Sequence, residues 1–193
     1  MSHIQDVDYE HAAPDIRQAY DAEMTKRGRV TNMKLTLLNS MPAYTAYMGW
    51  YPLWDRIEAL VGARAAAVFA HAISARNSCV LCTVYFRRAL SEAGLSPDAF
   101  EPTADEHLLI ALAEAVVADP NAIGNEMWTR LKARFSDRDI VDLVGFAGMM
   151  IAVNVFNTAL GVAIDKDLES FIPSSHLTPS ALLGIAAEIA AAT

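Results

Sequence analysis

His71-Ala-Ile-Ser-Ala-Arg-Asn-Ser-Cys79-Val-Leu-Cys82-Thr-Val-Tyr-Phe-Arg-Arg88 reads as the end of one apolar helix, a short break, and the start of another. Cys79 and Cys82 are the only cysteines in 193 residues. Residues three apart share a helix face, which brings the two sulfurs within reach of a small disulfide. Ser78 is a favourable N-cap. Capping there puts both cysteines in the first turn, where unpaired N–H groups and the positive end of the helix dipole stabilise a thiolate. With no second cysteine pair and no nearby histidine pair, the local sequence does not supply a metal-ligand set, and no metal is expected. Inert, buried thiols are the plain alternative.

Outward from that break the periodicity is helical and the fold class is all-α. Pro14 opens a helix that ends near Gly28, and Thr31 or Asn32 caps a short one through Leu38. Ser40 starts a third, which Pro52 breaks or kinks near Trp50 and Tyr51 before it resumes toward Leu60. Gly62 precedes a helix from about Arg64 to Ala75, and the cysteine helix runs to Ala93 with Gly94 as its stop. Thr103 and Glu106 form a capping box for a helix to Ala118, ended by Asp119-Pro120-Asn121. Another helix spans about Asn121 to Phe135, and Ser136 with Asp139 opens a long apolar one through Leu160, closed by Gly161. Pro173 to Pro179 reads as a loop and Ala181 to Ala191 as a small-residue helix. No linker divides the chain, so 1–193 is expected to be one domain, with 1–13 an N-terminal arm and 173–193 a C-terminal loop and helix.

A net charge of -8 argues against a nucleic-acid partner, because phosphate binding rests on clustered Lys and Arg. The polar, acidic start is unlike a secretory signal, and no stretch reads as long enough in apolar residues for a membrane span. A soluble, cytoplasmic protein with no membrane partner is expected. In such a compartment an isolated thiol pair is more often catalytic or redox-sensing than structural.

The order of features resembles the carboxymuconolactone decarboxylase superfamily, in particular its AhpD-like alkylhydroperoxidase branch. Val30-Thr-Asn-Met-Lys-Leu-Thr-Leu-Leu-Asn-Ser-Met-Pro42 is similar to the opening segment of that branch, and Ile73 to Cys82 to its redox segment. Phe135-Ser-Asp-Arg-Asp-Ile-Val-Asp-Leu143 and Asn154-Val-Phe-Asn-Thr-Ala-Leu-Gly-Val162 resemble its later helices. The resemblance implies a multi-helix orthogonal bundle that forms dimers, trimers or hexamers, with thiol–disulfide or peroxidase chemistry at Cys79 and Cys82. It also implies attack on the oxidant by Cys82 and resolution by Cys79, whereas the helix dipole alone favours Cys79 as the thiolate. Where the branch usually carries a relay glutamate and histidine, this chain has Ala67 and Phe86. Only the cysteines transfer.

His71 is the nearest candidate to replace that relay, with a near-neutral intrinsic pKa, though it also fits a hydrogen-bonded core position. Tyr85 and Phe86 share the cysteine face and are candidate pocket residues, the first able to donate a proton and the second to exclude water. Arg87 lies about 80° round the helix from Cys79 and is a candidate for favouring a thiolate or an acidic substrate. Tyr44, Tyr47, Met48, Tyr51 and Trp54 form an aromatic stripe that fits either core or a channel to the cysteines, with Tyr51 its candidate pocket residue. Asn154 and Asn157 are amides in an apolar helix and need partners, while Glu106, His107 and Glu114 do not complete a metal set.

These features give first a thiol-dependent oxidoreductase, a peroxidase or disulfide reductase, that cycles Cys79 and Cys82 between dithiol and disulfide. Its substrate is a small-molecule hydroperoxide, an external dithiol protein or lipoyl group restores the thiols, and no cofactor is expected, because no Gly-rich strand-to-helix turn is present. The alternatives are a lyase on a small organic acid, with the cysteines as bystanders, and a non-catalytic redox-sensing oligomer.

Overall fold

A computed structural model describes residues 2–173. Among the described residues the secondary structure is helical, in the order α1 (Pro14–Arg27), α2 (Asn32–Leu37), α3 (Met41–Met48), α4 (Tyr51–Val61), α5 (Ala63–Arg76), α6 (Val80–Glu92), α7 (Ala104–Ala118), α8 (Asn125–Arg134) and α9 (Asp137–Leu160). Local chemistry sets most of these ends. Gly28 (φ 72°) and Gly161 (φ 62°) take the left-handed conformation that closes α1 and α9. The side chains of Thr103 and Ser136 each accept the backbone N–H of the acidic residue three positions on, and that carboxylate reaches back to the cap N–H. Arg64 adds a second grip on the α7 cap, donating to both carboxylate oxygens of buried Glu106 at 2.7 and 2.9 Å.

Two boundaries differ from the sequence reading. The helix expected from about Asn121 is preceded by a 3-10 turn over Pro120–Ala122, which the Asp119 carboxylate caps by accepting the Asn121 N–H; α8 begins only after Gly124. The cysteine helix starts one residue later than expected, for a reason given below. A further 3-10 segment, Lys166–Phe171, packs on α6. The loop expected to begin at Pro173 and the helix expected over Ala181 to Ala191 lie outside the described residues beyond Pro173.

The hub is α5, which packs on α4, α6, α7 and α9. Buried Ala65, Ala66, Ala67 and Ala70 let its neighbours approach closely, while Phe69 and Ile73 fill the centre. Phe69 lies 5.6 Å, centroid to centroid, from Phe146 of α9, and Leu109, Leu112 and Leu143 complete that core. A second cluster, built on Leu37, Leu38 and Tyr44, gathers α1, α2 and α3. The N-terminal arm joins the body where the His3 N–H donates to the Leu160 carbonyl at 2.9 Å.

By length and composition α9 is long and apolar enough to cross a bilayer, contrary to the expectation that no stretch would be. It nevertheless packs against α4, α5, α6, α7 and α8, starts with Asp137 and Asp139, and buries Asn154 and Asn157. Those contacts pack one side of it into the bundle, while its other side, with Val141 and Val155, is exposed.

Candidate functional site

The break between α5 and α6 is a helix-ending motif joined directly to a helix-starting one. The Cys79 N–H donates to the Ser74 carbonyl and the Ser78 N–H to the Ala75 carbonyl, both at 3.0 Å, which is the paired pattern of a Schellman turn. Ser78 is therefore the left-handed residue that follows α5, at φ 57°, rather than the N-cap of α6. Cys79 takes the N-cap place with extended backbone, and its carbonyl accepts the Thr83 N–H at 2.9 Å. Cys82 then occupies the third helical position.

The two sulfurs have opposite environments. Cys79 is drawn down to about pH 7, first by the Cys82 thiol that donates to it, against the opposing effect of burial, with the Cys82 amide, the Thr158 hydroxyl and the Leu81 amide adding to the pull. Cys82 is pushed well above the usual thiol range by the same bond, by burial and by the charge on Cys79, and only the Asn157 amide opposes this. The pair therefore shares one proton near neutrality, with the charge on Cys79. Access runs the other way. Both residues are buried and unbonded, but Cys82 lines a cavity of about 630 Å³ and Cys79 does not.

Asn157 of α9 reaches the sulfur from across the cavity wall, its Nδ2 lying 3.2 Å from Cys82 Sγ and 3.6 Å from Met33 Sδ. A thioether only accepts, so the nitrogen belongs on this side. The Asn157 Oδ1 is then buried with no hydrogen-bond partner among the described residues. Asn154, one turn earlier, instead accepts from the Ser74 hydroxyl at 3.4 Å inside the core.

The rest of the wall is aromatic and sulfur-rich. Tyr51 and Trp54 of α4, Tyr47 and Met48 of α3, and Tyr85 and Phe86 of α6 all line it. Phe86 stacks on Trp54 at 5.8 Å between centroids, and Tyr85 meets the Phe86 edge at 5.2 Å. Tyr44, the remaining member of the stripe, turns away to donate to Glu23 at 2.9 Å, and burial followed by that bond raises its pKa beyond the normal range. Burial likewise raises Tyr51.

Two candidates are not gathered here. Arg87 is held by Asp98 through two bonds of 2.7 Å and by the Phe171 carbonyl at 3.0 Å, so it ties α6 to the following segments and does not line the cavity. His71 lines a separate, smaller cavity of about 320 Å³ with Val68, Arg76, Phe100 and Glu114. Its Nε2 is buried without a partner among the described residues, and burial, helped by the Arg87 charge, lowers its pKa to about 4. It is a neutral imidazole at pH 7, and the structure does not bring it onto the wall shared by Cys82. Ala67 is packed with Val68 and Leu90, so no proton carrier stands at either of the two places where the resembling branch has one.

Sequence reasoning missed Lys34. It lies in α2, lines the cysteine cavity, and is 2% exposed, ion-paired with buried Glu23 of α1. Burial lowers its pKa despite the pairing, while Lys34, Tyr44 and Arg27 together overcome burial and lower that of Glu23. The available signal was a single charge within the apolar run Met33 to Leu38. Among the described residues no group of three or more His, Cys, Asp or Glu side chains is placed to hold a metal.

No protein-family model matches the sequence, and no curated protein does. Solved structures do match in fold. An uncharacterized peroxidase-related protein from Silicibacter sp. TM1040 is 16% identical, with a TM-score of 0.69 over 86% of this chain and 93% of that one. The alkylhydroperoxidase AhpD core of an uncharacterized peroxidase-related protein from Ralstonia eutropha JMP134 is 19% identical, with a TM-score of 0.65 over 86% and 94%. The apo debrominase Bmp8 is 15% identical, with a TM-score of 0.69 over the same shares. The chain thus has the all-helical fold of AhpD-like, peroxidase-related proteins.

Proposed function

We propose that this protein is a thiol-dependent oxidoreductase that reduces a small-molecule hydroperoxide by cycling Cys79 and Cys82 between dithiol and disulfide. One observation carries the reading: Cys82 meets the cavity with the Asn157 Nδ2 3.2 Å from its sulfur, and beside it Cys79 has its pKa drawn down to about 7. Cys79 acts as the base. It takes the Cys82 proton as Cys82 attacks the terminal oxygen of R–O–O–H; the O–O bond breaks, Cys82 becomes a sulfenic acid, and RO⁻ leaves and takes a proton from water. The Cys79 thiol loses its proton to solvent and its sulfur attacks Cys82 Sγ, expelling hydroxide and forming the disulfide. One peroxide is reduced to an alcohol and two thiols are oxidised. An external dithiol, on a protein or a lipoyl group, then exchanges with the disulfide to restore the pair.

Asn157 supports this order. Its Nδ2–H groups stabilise charge on Cys82 as the proton leaves, and its free Oδ1 accepts the hydroperoxide O–H. Tyr85, Phe86 and Tyr51 form the walls of the substrate pocket in this reading, while Arg87 and His71 have no step. Exposed Val141 and Val155 on α9 are apolar surface available to a second copy, consistent with a homo-oligomer.

Titration of free thiols against stoichiometric cumene hydroperoxide tests the proposal. Wild type loses two thiols per chain, Cys79→Ser, deprived of its base, loses its single thiol more slowly and without forming a disulfide, and Cys82→Ser reacts at least about a hundredfold more slowly than wild type. Persistence of both wild-type thiols overturns it. Turnover of a carboxylated substrate that survives in the double Cys→Ser variant assigns the protein to the lyase class instead. One structural neighbour is named a debrominase, and thiol loss to an organic bromide but not to the peroxide would transfer the cycle to that class of substrate.

A further inference from the structure

We infer that the substrate of this cavity is a flat aromatic or similarly apolar molecule that carries one acidic group, anchored by Lys34. The inference rests on the proposed dithiol chemistry only for the identity of the reacting end. Lys34 is almost wholly removed from solvent, yet it lines the cavity, whereas its partner Glu23 and the Tyr44 that also binds Glu23 stand behind it. An ammonium has three N–H donors. Among the described residues one is taken by Glu23, and the other neighbour is the face of Tyr51, whose ring centroid is 5.1 Å from Nζ. A buried ammonium with donors that the protein leaves unused is incomplete until an acceptor arrives.

The charge balance points the same way. Arg27 lies over the same Tyr51 ring at 4.4 Å and is paired with the same carboxylate, Glu23, at 3.7 Å. Two cations share one anion, so the cluster around Tyr51 holds one positive charge in surplus. Lys34 and Cys82 line the same cavity, so one bound molecule can meet both. At the Cys82 end the unpartnered Asn157 Oδ1 asks for a donor; at the Lys34 end the need is for an acceptor. On the same wall Trp50, Trp54, Tyr47 and Phe86 offer apolar faces suited to a ring. Asp55, Glu58 and Asp165 also border the cavity, as do Arg29 and Arg88, both of which are paired with Asp167.

Calorimetric titration with 2-naphthoate and with neutral 2-naphthylmethanol tests the anchor. Wild type binds the acid about tenfold or more tightly than the alcohol, the size of one charge-assisted hydrogen bond. Lys34→Met abolishes the preference and leaves the alcohol affinity within about threefold, while Lys34→Arg retains it. Because Lys34→Met strands a buried carboxylate, Lys34→Met/Glu23→Gln is measured beside it and loses the preference equally. Cys79→Ser/Cys82→Ser keeps the preference, so failure of the redox reading and failure of the anchor register separately. Equal affinity for the two probes in wild type, no binding of either, or a preference that survives in the folded Lys34→Met/Glu23→Gln protein overturns the inference.

Discussion

The two cavities of this protein each expose one face of a buried titratable group, and they treat it differently. Around Cys82 the thiol is paired with a thiol, the amide with sulfur and the ammonium with a carboxylate. The Asn157 Oδ1 and two of the Lys34 donors are left without a partner among the described residues. Around His71 the imidazole stands without a hydrogen bond among the described residues, and burial simply removes its charge. The contrast separates a built site from a hole that happens to contain a histidine. Perturbed titration is common to both, so it does not identify function by itself; the partnering does.

That comparison breaks most visibly under pH. The rate of thiol loss to peroxide follows the single shared proton, so it is half-maximal near pH 7 and falls about fiftyfold between pH 7 and 5. His71→Leu leaves this profile in place; a shifted midpoint would return His71 to the site. A smaller effect comes from Asn157→Leu, which keeps the volume and removes both polar atoms. Peroxide reactivity of Cys82 drops about tenfold or more while thermal unfolding changes little, since one unpartnered buried oxygen is lost with the bond. Stopped-flow thiol kinetics beside calorimetry of unfolding separates the two.

His71 has its own consequence, in stability. The unfolded chain takes up a proton near pH 6.5, but the folded one not until about 4, so folding weakens as pH falls through that window and levels below it. The effect amounts to about 3 kcal/mol at most, and His71→Leu removes this part of the acid slope in denaturant titrations at pH 7 and pH 4.5. Smallest is Ser78→Gly, which relieves a left-handed non-glycine residue and stabilises by about 0.5–1 kcal/mol without altering the cysteine pair. A loss of stability there would mean that the Ser78 side chain serves the turn.

These regions also differ in how far the sequence revealed them. The helix ends at Gly28, Thr103, Ser136 and Gly161 were legible because a cap is local chemistry, set within four residues. Ser78 was not, because the same residue type caps helix starts and, less often, follows helix ends; the choice fell to the Schellman turn that closes α5. Cys79, Cys82 and the aromatic stripe could be named from spacing. The Lys34–Glu23–Tyr44 cluster could not, since it joins three helices, α2, α1 and α3, and depends on their packing around Leu37 and Leu38. Asn157 was visible as a misplaced amide, but its contact with Cys82 depends on the crossing of α9 and α6.

The claim on which the rest depends is that Cys82, and not Cys79, receives the oxidant. Mass spectrometry of the single-cysteine variants after one equivalent of cumene hydroperoxide in the presence of dimedone tests it directly. A dimedone adduct on Cys82 in Cys79→Ser, with none on Cys79 in Cys82→Ser, is the expected result. An adduct on Cys79 in Cys82→Ser, with Cys82 unlabelled in Cys79→Ser, contradicts it.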